Sequence, residues 1–113
     1  MKDKEIKKKF PLAIDEITKN IIDNYNPNKI ILFGSVAKGS YNANSDIDML
    51  IIKQTKKPFI ERWVEVRKMA NYLKHDISFE PHVYTPQEFQ QRLDLGDFFT
   101  KEILETGKVL CEK

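Results

Sequence analysis

A five-residue apolar run, Lys29-Ile30-Ile31-Leu32-Phe33, stops abruptly at Gly34-Ser35. The β-branched pair and the shortness of the run make it a strand, and the glycine turns the chain at its end. A second run, Ser45 to Lys53, carries its apolar part, Met49 to Ile52, at the far end and two acids, Asp46 and Asp48, at its head. Between the two, Val36 to Asn44 is small, polar and interrupted by Gly39, which suits a short turn of helix and then a loop. A sheet built from such strands must bury a face against a second layer, and the flanking sequence supplies helices for it.

Ile14, Ile17, Ile21, Ile22 and Tyr25 recur at helical spacing, so Pro11 to Tyr25 reads as a helix with the proline in its first turn. Asn26-Pro27-Asn28 stops it. Lys56-Lys57-Pro58 opens a second helix, with Phe59, Trp63, Val66, Ala70 and Leu73 along one face. Asp76 to Tyr84 reads as a third strand, Ile77, Phe79 and Val83 on one side and Ser78, Glu80 and His82 on the other. Thr85-Pro86-Gln87-Glu88 has the composition of a helix start: a threonine cap, proline at the first position and an acid at the third. That helix runs to about Leu93. Asp97 caps another through Glu105, Thr106-Gly107 ends it, and Val109-Leu110 adds a short edge strand. The expected fold class is α/β (α+β): a small mixed sheet with helices packed mainly on one face.

The chain has 113 residues, the size of one domain, and 41% of them are hydrophobic, enough for one core. The expected organisation is a single domain over 1–113, with a solvated basic tail over about 1–10, where Lys2, Lys4, Lys7, Lys8 and Lys9 crowd together. The net charge of +2 does not indicate nucleic acid as a partner. One cysteine, Cys111, forms neither an internal disulfide nor a zinc site by itself, which points to a reducing, cytoplasmic setting. No stretch approaches the ~20 apolar residues of a membrane span, and the basic start does not lead into the apolar segment of a signal peptide.

Three features carry chemistry. Gly34-Ser35 lies between a strand and a helical turn, where backbone N–H groups favour an anion such as a phosphate. Asp46 and Asp48, two apart on a strand, point to the same side with Cα atoms roughly 6.5–7 Å apart, and two carboxylates so placed repel unless a cation sits between them. Oxygen ligands of this kind suit Mg²⁺, which typically combines one or two carboxylates with substrate phosphates. A third carboxylate lies on the polar side of the third strand, either Glu80 or Asp76. With it the set suits a two-metal site, in which ions ~3.5–4 Å apart serve the attacking and leaving oxygens.

The run Phe33-Gly34-Ser35-Val36-Ala37-Lys38-Gly39, together with Asn44-Ser45-Asp46-Ile47-Asp48, resembles the signature of the minimal nucleotidyltransferases of the DNA polymerase β-like superfamily. The segments Tyr84 to Phe89 and Glu102 to Leu110 are also similar to that family, so the likeness spans nearly the whole chain. It implies a polymerase-β-like palm with its site on an open face. It places Gly34, Ser35, Lys38 and Ser45 on the nucleotide, and Asp46 and Asp48 on two Mg²⁺ ions. Counting back from Thr85, it puts the third carboxylate at Glu80 rather than Asp76, where relatives more often carry Asp. Lys38, often Arg in relatives, is a cation facing the triphosphate or a solvated lysine.

The activity so implied is transfer of a nucleoside monophosphate, AMP from ATP, to a hydroxyl, with release of pyrophosphate. Relatives of this size are similar to antitoxins paired with a HEPN-domain ribonuclease toxin, a tyrosine of which they adenylylate. A non-catalytic antitoxin acting by contact alone is one alternative. A small-molecule, antibiotic-type nucleotidyltransferase is another, and it would need a second domain or a homodimer to wall its acceptor site. His75 and His82 have no assigned role.

Overall fold

The computed structural model describes residues 3–113. Helix α1, Asp3–Tyr25, leads into strand β1, Lys29–Phe33, and then helix α2, Gly34–Lys38. Strand β2, Ile47–Ile52, helix α3, Phe59–Ala70, and strand β3, Phe79–Tyr84, come next. Helices α4, Pro86–Asp94, and α5, Phe98–Thr106, lead to strand β4, Lys108–Glu112. The four strands form one mixed sheet in the order β3-β2-β1-β4. β1 is antiparallel to both neighbours, whereas β2 and β3 run parallel, joined over one face by α3.

Strand alternation gives the sheet two unequal sides. Ile30, Leu32, Ile47, Met49, Ile51, Phe79 and Val83 point one way, into a continuous core with Phe10, Ala13, Ile17 and Ile21 of α1 and Val66 and Ala70 of α3. Ile31, Phe33, Leu50, Ile52 and Tyr84 point the other way and pack with Ile103 of α5 and Phe89 of α4. The two longest helices thus cover one face fully, and two short ones cover part of the other. The uncovered part contains the head of β2.

Four sequence expectations are corrected. The basic tail is helix: α1 starts eight residues before Pro11, and Phe10 is 1% exposed. Lys4, Lys7 and Lys8 are its solvated face, while Met1 and Lys2 lie outside the described residues. An interior proline removes a helical hydrogen bond, but Ile6 and Phe10 pack against the core before it and hold the turn it interrupts. In α3 the inward stripe is Arg62, Val66 and Ala70, while Phe59 is 48% exposed. Leu73 lies beyond the helix, in a 3₁₀ turn over Tyr72–His75, with Asn71 and Asp76 left-handed on either side of it. That turn delays β3, which starts at Phe79 rather than Asp76. β4 is longer than expected, because backbone pairing with β1 extends it to Glu112 across a bulge at Ile30/Ile31.

The caps conform to the sequence. Thr85 Oγ1 accepts from the Glu88 N–H at 3.1 Å, and the Glu88 carboxylate accepts from the Thr85 N–H at 2.8 Å. Asp97 accepts from the Thr100 N–H at 3.0 Å.

Candidate active site

Asp48 occupies the meeting point of three strands' ends. It lies opposite Phe33 in the antiparallel register with β1 and opposite Glu80 in the parallel register with β3. The residue after Phe33 is Gly34, in a left-handed conformation with φ of +79°. A Cβ built there would stand 2.6 Å from Asp48 Oδ2. The left-handed dihedral favours glycine, and a Cβ there would displace the end of the Asp48 side chain. The Asp48 carboxyl is pushed up to about 6, by burial first and then by the charges of Asp46 and Glu80. An acid surrounded by acids in this way is a site that a cation would relieve.

Ser35 lies in the first turn of α2, and its carbonyl accepts from Ser40 N–H at 3.1 Å, with Gly39 left-handed in between. Ser45 braces the loop: its Oγ accepts from Asn42 N–H at 2.9 Å. Asp46 is exposed just before β2, one residue after Ser45. Lys38 ends α2 and pairs with Glu102 of α5 at 3.3 Å. Glu80 is beside Asp48 but is drawn toward α3, where Arg67 Nη1 donates to its Oε1 at 3.1 Å. Among the described residues, no three His, Cys, Asp or Glu side chains converge closely enough to hold one metal ion. Asp76, the competing acid, stands in the turn before β3, its side chain fully exposed and 3.8 Å from Lys9. The fold therefore brings together Gly34, Asp48 and Glu80, keeps the charge of Asp46 close enough to raise the Asp48 carboxyl, and leaves Asp76 apart.

Three contributors were not legible in the sequence. Phe33, His82 and Phe99 form a triangle of rings with centroids 5.5, 5.5 and 5.6 Å apart. Burial there lowers the His82 pKa, so its imidazole is uncharged at neutral pH despite the nearby Glu80. Phe33, Gly34, Lys38, Phe99 and Glu102 line a cavity of about 200 Å³ against the glycine turn. Arg67 also belongs to the site through Glu80. The only sequence signal for it is its place four residues after Trp63 on one helix, which allows its guanidinium to lie 4.4 Å from that ring's centroid.

Comparison with known proteins shows the family. Residues 15–113 match the family model described as polymerase beta, nucleotidyltransferase. Two proteins of Methanocaldococcus jannaschii, each named "Putative protein adenylyltransferase", are 36% and 32% identical. The matches span 81 and 82 residues, which is 71% and 73% of this chain and 77% and 76% of theirs. A crystal structure of a toxin-antitoxin with AMP-PNP superposes with a TM-score of 0.65 at 25% identity, covering 88% of this chain and 73% of that one. A nucleotidyltransferase-like structure from Sulfolobus solfataricus shares the fold with a TM-score of 0.59 at 19% identity, covering 80% and 82%. With the glycine turn seated on the strand-head acids and a family match running from the middle of α1 to the last residue, the chain belongs to the polymerase beta nucleotidyltransferase family and is a nucleotidyltransferase.

Proposed function

We propose that this nucleotidyltransferase moves AMP from ATP onto a tyrosine hydroxyl of a partner HEPN-domain toxin. The observation that carries the chemistry is the seating of Gly34 on Asp48, in register with Glu80. The residues present suit divalent cations. The donors are all carboxylate oxygens, the Asp48 carboxyl is raised by its own neighbours, and the glycine leaves open the space that a Cβ would fill. Asp46, Asp48 and Glu80 would hold two Mg²⁺ ions, which supply charge neutralisation for the triphosphate and acidify the attacking hydroxyl. Gly34 and Ser35 present backbone N–H groups of the first turn of α2 to the phosphates, donors that a helix start leaves without internal partners. Lys38 adds a positive charge at the end of the same short helix, and Ser45 fixes the loop that delivers Asp46. The tyrosine oxygen attacks the α-phosphorus, the bond from that phosphorus to the bridging oxygen breaks, and pyrophosphate leaves. Glu80 accepts the hydroxyl proton. Catalysis on this scheme is positioning and electrostatics.

AMP as the transferred group is supported by the names of the M. jannaschii relatives and by the AMP-PNP complex. A toxin as acceptor is supported by the toxin-antitoxin structures with this fold. Incubating the chain with its toxin, ATP and Mg²⁺ and weighing both proteins intact tests the proposal. Addition of AMP to the toxin, lost on Tyr→Phe replacement in the toxin, is the expected result. A toxin of unchanged mass beside an active control enzyme would sink it.

One observation favours a second reading, neutralisation by contact alone: Glu80 is held by Arg67 and the three acids do not converge. Replacing Asp46 and Asp48 together by Asn separates the two. Toxicity returning with the double variant supports transfer, and neutralisation surviving it supports contact.

A further inference from the structure

Arg67 is held from every side. Its Nη1 donates to the Phe79 carbonyl at 2.7 Å and to Glu80 Oε1 at 3.1 Å. Its Nη2 donates to the Tyr72 hydroxyl. Its guanidinium lies between two rings, 4.4 Å from the Trp63 centroid and 4.8 Å from that of Tyr72. A guanidinium stacked and hydrogen-bonded in this way has little freedom left, whereas Glu80 by itself is a flexible residue whose side chain is 44% exposed. Among the described residues, Glu80 Oε2 has no hydrogen-bond partner, and the strand register puts Glu80 beside Asp48.

We propose that Arg67 is the positioning residue for Glu80. It clamps Oε1, leaves Oε2 free on a residue in register with Asp48, and offsets part of the negative charge that would otherwise gather there. This rests on the reading of Glu80 as a cation ligand. Two consequences differ in sign. Losing the positive charge makes the acids more attractive to a divalent cation. Losing the fork frees the carboxylate and slows transfer. A residue that merely supports the fold would weaken both.

The test is a cycle of four proteins, wild type, Arg67→Met, Glu80→Gln and the double variant. Mn²⁺ affinity is read by electron paramagnetic resonance of the free ion, and kcat for AMP transfer is read separately. We expect Arg67→Met to tighten Mn²⁺ binding by about threefold or more while lowering kcat about tenfold, with the KM for ATP little changed. In the Glu80→Gln background the same substitution no longer lowers kcat, while the lost charge still tightens Mn²⁺ on the Asp pair. Arg67→Lys, the fallback if Arg67→Met does not fold, keeps the charge without the fork, so its Mn²⁺ affinity stays near wild type while kcat still falls. An equal fall in kcat on Arg67→Met in both backgrounds, or weaker Mn²⁺ binding in the single variant, would overturn the proposal. Unchanged Mn²⁺ affinity in Glu80→Gln would instead overturn Glu80 as a ligand, and the role of Arg67 would fall with it.

Discussion

At the residue scale the site turns on one contact, Gly34 against Asp48. A methyl group at position 34 would lie 2.6 Å from Oδ2 on a backbone with φ of +79°, so two penalties act at once. The left-handed conformation costs a non-glycine residue about 1–2 kcal/mol, and the clash must push Asp48 or α2 aside. Gly34→Ala is expected to lower transfer by about a hundredfold, since a displacement of about 1 Å at a reacting centre has that order of effect. It should lower stability by about 2 kcal/mol, checked by kinetics and a denaturant titration on the same protein. Asp48 supplies the second test. Its folded pKa of about 6 lies above the ordinary 3.8, so its ionisation opposes folding. The stability it confers is full below the unfolded value and is lost as pH rises through about 6. Without divalent cations the wild type should therefore gain stability from pH 7 down to pH 5 relative to Asp48→Asn. Unscreened, the shift corresponds to about 3 kcal/mol. Less than half of that falls between pH 7 and pH 5, and water reaches a half-buried carboxyl, so about 0.5 kcal/mol is the expected difference. Adding Mg²⁺ at pH 7 should recover it; a wild type that tracks Asp48→Asn at every pH would contradict this account of the carboxyl.

At the element scale, the strands and caps were legible because their signals are local. Ile30 and Ile31 between an Asn-Pro-Asn stop and a glycine can hardly be anything but strand, and Thr85-Pro86-Gln87-Glu88 fulfils a cap in four residues. The misjudged elements depend on distant partners. Lys-rich residues 4–9 look like a tail until Phe10 and Ile6 find the core. The inward face of α3 was misread because it includes an arginine. Arg62 is 6% exposed and pairs with Glu88 at 2.7 Å; its Nε donates to the Lys57 carbonyl at 2.7 Å and Nη1 to the Val83 carbonyl at 3.3 Å. It ties α3, β3 and the cap of α4 together, and helical periodicity counts only apolar residues. The family resemblance pointed to Glu80, but nothing local pointed to Arg67, which holds its Oε1: the contact joins α3 to β3 over 13 residues. Removing Arg62 takes the donor from the Lys57 and Val83 carbonyls and from the Glu88 carboxylate, whose side chain is 42% exposed, so Arg62→Met is expected to cost about 1–2 kcal/mol by chemical denaturation. Arg62→Met with Glu88→Gln should lose less than the single losses combined.

At the scale of the whole molecule, the two faces of the sheet differ in how firmly they are covered. One carries α1 and α3 on a continuous apolar core. On the other, α4 buries no residue completely and α5 buries only Thr100 and Ile103. Leu95 and Phe98, at the junction of α4 and α5, are 79% and 82% exposed. Opening free energies depend on the apolar contacts that each unit must break, so α4 and α5 should detach at a lower cost than global unfolding. This weak half is also the wall of the site. Phe99 packs on Phe33 and His82, Glu102 holds Lys38, and both line the cavity beside Gly34. Opening α5 would therefore expose the glycine turn without disturbing the strands that hold Asp48. Native-state hydrogen exchange should find amides of α4 and α5 exchanging through a local event, while those of β1, β2 and the Ala13–Ile21 stretch of α1 exchange only with global unfolding. Ile103→Ala removes the principal apolar anchor of α5. It is expected to speed exchange in α5 by about tenfold or more, in keeping with a buried Ile→Ala loss of roughly 2–5 kcal/mol, partly relieved by collapse. Exchange in the core of α1 should change much less if the global barrier does not pass through α5. Equal acceleration in α1 and α5 would mean that the two faces unfold as one unit, and that access to the site is not governed by its thinner wall.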